Sequence, residues 1–397
     1  MSAAIARVLG EGFRVFFLSA GLYGLFAGSA WGVWLMTQTG AIPYEDPTYS
    51  MTPPMWHAHE MIFGYATAAL GGFFLTAVPN WTGAPEARAR FITLAAALWL
   101  AGRLAMWFSA SMPPMLVAAI DLAFVPVLAV KIASQLIRRP KPQNMVFLLL
   151  LSCIWIANLM THLQWMGMTG ETLQTGLRAG LLTLCAMIAI LGGRITPAFT
   201  RNAMKRAGEP EAAWPVSVPV LDKAGMVIAL TLPVAVLALG GGAVAGVLAL
   251  ILGALQILRM ARWRSGWALR QPILIALHLG LGMLAFGLIL WGFAAFGVGD
   301  EVAALHVLGI GCVGGMTLAV MSRAALGHSG RALIAPPAMV VAYGLMAAAA
   351  VLRWLGTGLS TEYLTAMLVA DGLWVCAIAL YLIAMWPALT GPRPSHA

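Results

Sequence analysis

Trp56–Gly83 reads WHAHEMIFGYATAALGGFFLTAVPNWTG: two histidines and a glutamate, then an apolar run with no charge. A hydrocarbon core about 30 Å thick is crossed by about 20 such residues in a helix. The rest of the chain repeats the pattern. Breaking it at Pro, Gly and charge clusters gives twelve segments of this kind. They centre near Gly24, Ala68, Trp99, Val125, Trp155, Met187, Ala229, Leu250, Met283, Gly311, Gly344 and Trp374. The expected fold is all-α, a polytopic membrane protein with twelve transmembrane helices.

Composition excludes the alternative of two or three soluble domains. Of 397 residues, 61% are hydrophobic and 9% charged, against about 25% charged in soluble domains. The net charge of +9 is scattered through short loops, so it serves orientation and not nucleic-acid binding. One side carries Arg88/Arg90, Lys131/Arg138/Arg139/Lys141, Arg201/Lys205/Arg206 and Arg323/Arg331; the other carries Glu45/Asp46, Glu171, Asp300/Glu301 and Glu362. The positive-inside rule then puts both termini, Ala397 included, in the cytoplasm. The first apolar run, Phe13 to Met36, is too long for a cleaved signal segment. Loops such as Gln38–Trp56 and Phe199–Val220 are too short for domains, so residues 1–397 form one transmembrane domain. The inner ends LTAVPNWTG (Leu75–Gly83) and GRITPAFTR (Gly193–Arg201) align Pro79, Trp81 and Thr82 with Pro197, Phe199 and Thr200, four helices apart. That spacing suggests three four-helix units.

Cys153, Cys185, Cys312 and Cys376 lie in apolar runs without CxxC spacing, which excludes a disulfide framework. Gly309-Ile-Gly311-Cys-Val-Gly314 fits GxGxxG but lies mid-span with no preceding strand, and reads as a helix-packing face.

Histidines and charges at membrane depth are costly enough to need a reason. At 1.5 Å per residue, His59, His162 and His306 fall roughly 5–8 Å below the outer boundary on three different helices. Three imidazoles at one depth can meet around one metal or one porphyrin, with His57 as a fourth if the start of its helix is irregular. Interfacial histidines packed on one side are the plainer reading. Glu60, next to His59, is the nearest carboxylate and the candidate to supply protons. Nearer the inner side, His278 and His328, with Arg194 and Arg323 able to hold propionates, suggest a second cofactor site; orientation-setting arginines explain the same residues. Arg103 and Asp121, near mid-membrane on consecutive helices, are expected to form an ion pair. Without CxxCH, any haem is b-type.

Trp56–Gly83, ALWLAGR (Ala97–Arg103) and GGRITPAFTRN (Gly192–Asn202) resemble the NnrS family. So do RMARWR (Arg259–Arg264), ALHVLGIG (Ala304–Gly311) and MTLAVMSRAALGHSGR (Met316–Arg331). The resemblance spans nearly the whole chain. It implies a bacterial inner-membrane protein containing haem b and copper, associated with denitrification genes and resistance to nitric oxide. Three functions follow: an oxidoreductase that reduces nitric oxide with electrons from quinol, a non-enzymatic sensor, scavenger or metal-handling protein, or a transporter. Polar residues crowding the outer third, away from the midplane, count against transport.

Overall fold

The computed structural model describes residues 3–394, and the Ala397 end falls outside them. Among the described residues, twelve helices are long and apolar enough to cross a membrane, and none of the structure is strand. Spans 1 to 6 are Gly12–Gln38, Pro53–Thr82, Ala89–Trp107, Pro114–Leu136, Pro142–Trp165 and Thr172–Arg206. Spans 7 to 12 are Pro219–Leu239, Ala243–Met260, Pro272–Ala294, Glu301–His328, Pro337–Gly356 and Tyr363–Thr390. The all-α multi-pass reading holds.

Local chemistry explains where the spans begin and end. Six of them open on proline (Pro53, Pro114, Pro142, Pro219, Pro272, Pro337), where the missing N–H would have no intrahelical partner anyway. The loop expected over Phe199–Val220 is shorter, because span 6 continues through Pro197 to Arg206. A proline inside a membrane helix is tolerated where side chains re-satisfy the backbone. Thr200 Oγ1 donates to the Thr196 carbonyl at 2.9 Å and Thr82 Oγ1 to the Val78 carbonyl at 2.8 Å, ordinary back-bonds one turn behind each threonine.

The packing divides into two compact units. Unit 1 comprises Met1–Gly180, Met321–Leu333 and Ile378–Ala397; unit 2 comprises Leu181–Val320 and Ile334–Ala377. In unit 1 the buried Arg14 ties the start of span 1 to the end of span 12. Its Nη1 donates to the carbonyls of Ala388 (3.0 Å), Leu389 (3.2 Å) and Gly391 (2.9 Å), oxygens that a helix C-terminus leaves without partners. In unit 2 Arg259, on span 8, is the comparable knot. It donates to Asp222 Oδ1 (2.8 Å) and Gln256 Oε1 (3.0 Å). Gly193 leaves room for its guanidinium, since a Cβ there would meet Nη2 at 1.9 Å. The arginine of RMARWR thus packs on the glycine of GGRITPAFTRN, and both motifs serve architecture here.

Candidate metal centre

Span 2 is not one regular helix. Pro53–His59 is α-helical, Glu60–Tyr65 is a π-helical turn, and α-helix resumes over Ala66–Thr82. Widened turns of this kind recur at functional sites because they re-aim side chains and free carbonyls. The freed carbonyls find side-chain donors: Trp99 Nε1 reaches Gly64 O at 3.0 Å, and Thr67 Oγ1 reaches Phe63 O at 2.5 Å. Gly64 is required by what crowds it. A Cβ there would lie 2.7 Å from Tyr23 Cε1 and 2.8 Å from Arg103 Nη1.

The π turn aims His59 and Glu60 into a closed polar cluster in unit 1. His59, Glu60 and His162 have no exposed surface, and Arg103, Asp121 and Asn158 are buried with them. Arg103 bridges the two carboxylates. Its Nη1 donates to Glu60 Oε2 at 2.5 Å and its Nη2 to Asp121 Oδ1, so the expected Arg103–Asp121 pair is present and extends to Glu60. Span 4 breaks after Asp121, its helices being Pro114–Asp121 and Phe124–Leu136. Gly102 lets that end come close, since a Cβ on it would be 3.2 Å from Asp121 Cα. Tyr23 OH also donates to Glu60 Oε2.

The histidines close the cluster. His59 Nδ1 lies 2.8 Å from Glu60 Oε1, and its Nε2 lies 2.8 Å from Asn158 Oδ1 and 3.5 Å from Asp121 Oδ2. Asn158 Nδ2 donates to Asp121 Oδ2 at 2.8 Å, which fixes its amide with the oxygen toward His59. His162 Nε2 is 2.9 Å from Asp121 Oδ2. The two imidazoles meet edge to face, centroids 5.4 Å apart.

Charge counting shows what this arrangement lacks. Two carboxylates against one guanidinium leave one negative charge at membrane depth, where an uncompensated charge costs several kcal/mol. A second proton on His59, or a cation beside it, restores the balance. As the contacts stand, both nitrogens of His59 face acceptors, so the ring carries both protons; a cation takes the place of the second proton only if Nε2 exchanges Asn158 Oδ1 for it. His59, His162 and Asp121 each offer a ligand atom, all within 4.8 Å of one another. An ion bonded at about 2 Å to each needs donors roughly 3–4 Å apart. Glu60 on the far nitrogen of His59 is the outer carboxylate that commonly orients a metal-bound imidazole. His162 Nδ1 is buried without a hydrogen-bond partner, so one of its two nitrogens is left for another ligand. Two imidazoles and a carboxylate suit copper, iron or zinc.

A porphyrin does not fit here. The Asn158 amide already bridges His59 to Asp121, filling the slot a flat macrocycle would need. Nor does it fit His278, whose Nε2 lies 3.0 Å from Thr200 Oγ1 and whose Nδ1 lies 2.9 Å from Ser265 Oγ. His328 stacks near Phe13 and lines a cavity of about 20 Å³ with Glu11, Glu86 and Arg393, space for about one water. His278 and Arg194 belong to unit 2, His328 and Arg323 to unit 1. His306 stands immediately before a second π turn, Val307–Gly314. Its Nδ1 lies 2.7 Å from the Val302 carbonyl.

The expected gathering of three outer histidines is therefore drawn differently. His59 and His162 meet, while His306 lies in unit 2. The helix is regular from Pro53 to His59, so residues two apart point to different sides. His57 accordingly turns away to stack on Trp31, centroids 4.3 Å apart. The third candidate ligand is Asp121, read from sequence as an ion-pair partner. Asn158 and Tyr23 went unnoticed in the sequence. Asn158 carried a signal, lying four residues before His162 and hence on the same helix face; Tyr23 carried none.

A family model described as NnrS protein matches residues 7–393, nearly the whole chain. Comparison with curated proteins finds no match.

Proposed function

Since the chain belongs to the NnrS family, we propose that it acts on nitric oxide at a copper ion held by His59, His162 and Asp121, reducing it with electrons from quinol. The convergence of those three side chains in a fully buried site carries this reading. Copper would supply an open coordination position for nitric oxide and a one-electron redox change. Haem b, held through His306, would supply a second nitric oxide-binding iron.

The chain's own residues do the rest. Glu60 accepts from His59 Nδ1 and so orients that ring, whose Nε2 would exchange its contact with Asn158 Oδ1 for the ion. Its other oxygen receives Tyr23 OH and Arg103, so a proton taken up at Oε2 has the phenol as its neighbour. Arg103 keeps the carboxylates apart and fixed. Nitric oxide dissolves in lipid, so a site closed to water needs no polar channel. The loop charges support a topology with both termini in the cytoplasm, and the family resemblance supports the bacterial inner membrane. Protein in vesicles should consume nitric oxide in proportion to added quinol, over many turnovers. Uptake that stops at one equivalent, whatever the reductant, would make it a scavenger or sensor instead.

A further inference from the structure

Unit 1 also holds a cavity of about 590 Å³, set between the outer half of span 1, the loop that follows it and the end of span 3. Its walls include Phe26, Val33, Trp34, Tyr49 and Trp107, and its lining includes the carboxylates Glu45 and Asp46. Phe26 and Val33 are 42% and 50% exposed. On a membrane-spanning helix such exposure faces hydrocarbon, so the cavity opens sideways toward lipid.

We propose that this cavity binds a lipophilic hydroquinone and is where its electrons enter the protein. The inference rests on the quinol-driven reading above and gives it a place. The volume falls within the roughly 300–1,000 Å³ of small-molecule sites, and the aromatic walls suit a planar ring. Burial pushes the Tyr49 phenol above its ordinary value, so it stays an O–H donor. Glu45 and Asp46 are acceptors for hydroquinone hydroxyls, whereas an anionic phospholipid headgroup would meet repulsion there.

Ring contacts lead inward from the walls. Trp34 stacks on Trp31 (4.6 Å), which stacks on His57 (4.3 Å). Tyr49 stacks on Trp56 (4.6 Å), with Trp107 against both. Phe26 contacts Tyr23 at 5.8 Å, and Tyr23 OH donates to Glu60. A belt of interfacial aromatics would face lipid; these rings run to the residues just before His59, and Trp56 is 1% exposed. The hydroquinone becomes the quinone, its two protons leaving to Glu45 or Asp46 and the surrounding water. Its two electrons pass along the rings, and two nitric oxide molecules, with two protons, become nitrous oxide and water.

The test is equilibrium binding of a decyl-substituted benzohydroquinone to the full-length protein in nanodiscs, wild type against Val33→Trp and Glu45→Gln/Asp46→Asn. Val33 is on the surface, so filling the cavity there spares the fold, and unchanged copper content certifies that. Binding should weaken roughly tenfold in Val33→Trp, about 1.4 kcal/mol, and measurably in the double variant. Wild-type affinity in both, or equal displacement by phosphatidylglycerol, would overturn the site. Nitric oxide consumption by the wild type with a soluble reductant is scored separately. Failure there alone defeats the proposed function while a cavity that binds hydroquinone stands, and the reverse result defeats only the cavity.

Discussion

His162 and His278 are both buried histidines, and their surroundings differ. His278 has a hydroxyl on each nitrogen, Thr200 on one side and Ser265 on the other. Those neutral partners satisfy a neutral ring and latch the short loop helix Ser265–Ala268 to span 9. His162 has a carboxylate on Nε2, a second histidine alongside, and an Nδ1 with no partner. A buried imidazole is therefore no sign of a metal. Convergent donors with surplus negative charge are.

Arg103 and Arg259 differ in the same way. Arg103 bridges two fully buried carboxylates, whereas Arg259 pairs with Asp222, whose side chain is 32% exposed. Arg103→Met should cost about 3–5 kcal/mol, the penalty of stranding buried charge. Arg259→Met should cost less, about 1 kcal/mol from the ion pair after solvent screening, plus its lost packing. Thermal unfolding in detergent measures both, and equal losses would mean the outer cluster is not the charge-sensitive one.

Glu60 comes next in size. Glu60→Gln keeps the shape but weakens the hold on His59 Nδ1, and outer partners of this kind are worth about 10–100-fold in metal affinity. Nitric oxide turnover should slow in the same variant. Unchanged affinity would reduce Glu60 to a counter-ion for Arg103. A smaller effect is expected at Gly64. Gly64→Ala forces Tyr23 and Arg103 outward, at about 1–3 kcal/mol for overpacking. Copper should bind more weakly but with unchanged stoichiometry, as read by competition with a chelator.

The fold was legible because membrane spans announce themselves by composition: all twelve segments found as apolar runs correspond to the twelve helices. The fine structure was hidden. The π turn at Glu60–Tyr65 depends on Trp99 and Thr67 serving its carbonyls, partners that only packing brings near. Span 6 runs past Pro197, where a proline in the sequence suggested an end. Depth arithmetic correctly put His59 and His162 at one level but carries no azimuth, so it could not tell that His57 faces Trp31. Asp121 was seen as the partner of Arg103 and not as a ligand, since one carboxylate can serve both with its two oxygens.

On the proposed reading, His59, His162 and Asp121 hold copper and His278 does not. Metal analysis of purified, copper-reconstituted protein tests it in wild type, Asp121→Asn, His162→Ala and His278→Ala. Wild type and His278→Ala should retain the same copper content, while Asp121→Asn and His162→Ala should both lose the ion bound at that site. Full copper in Asp121→Asn and His162→Ala, or its loss in His278→Ala alone, would contradict it.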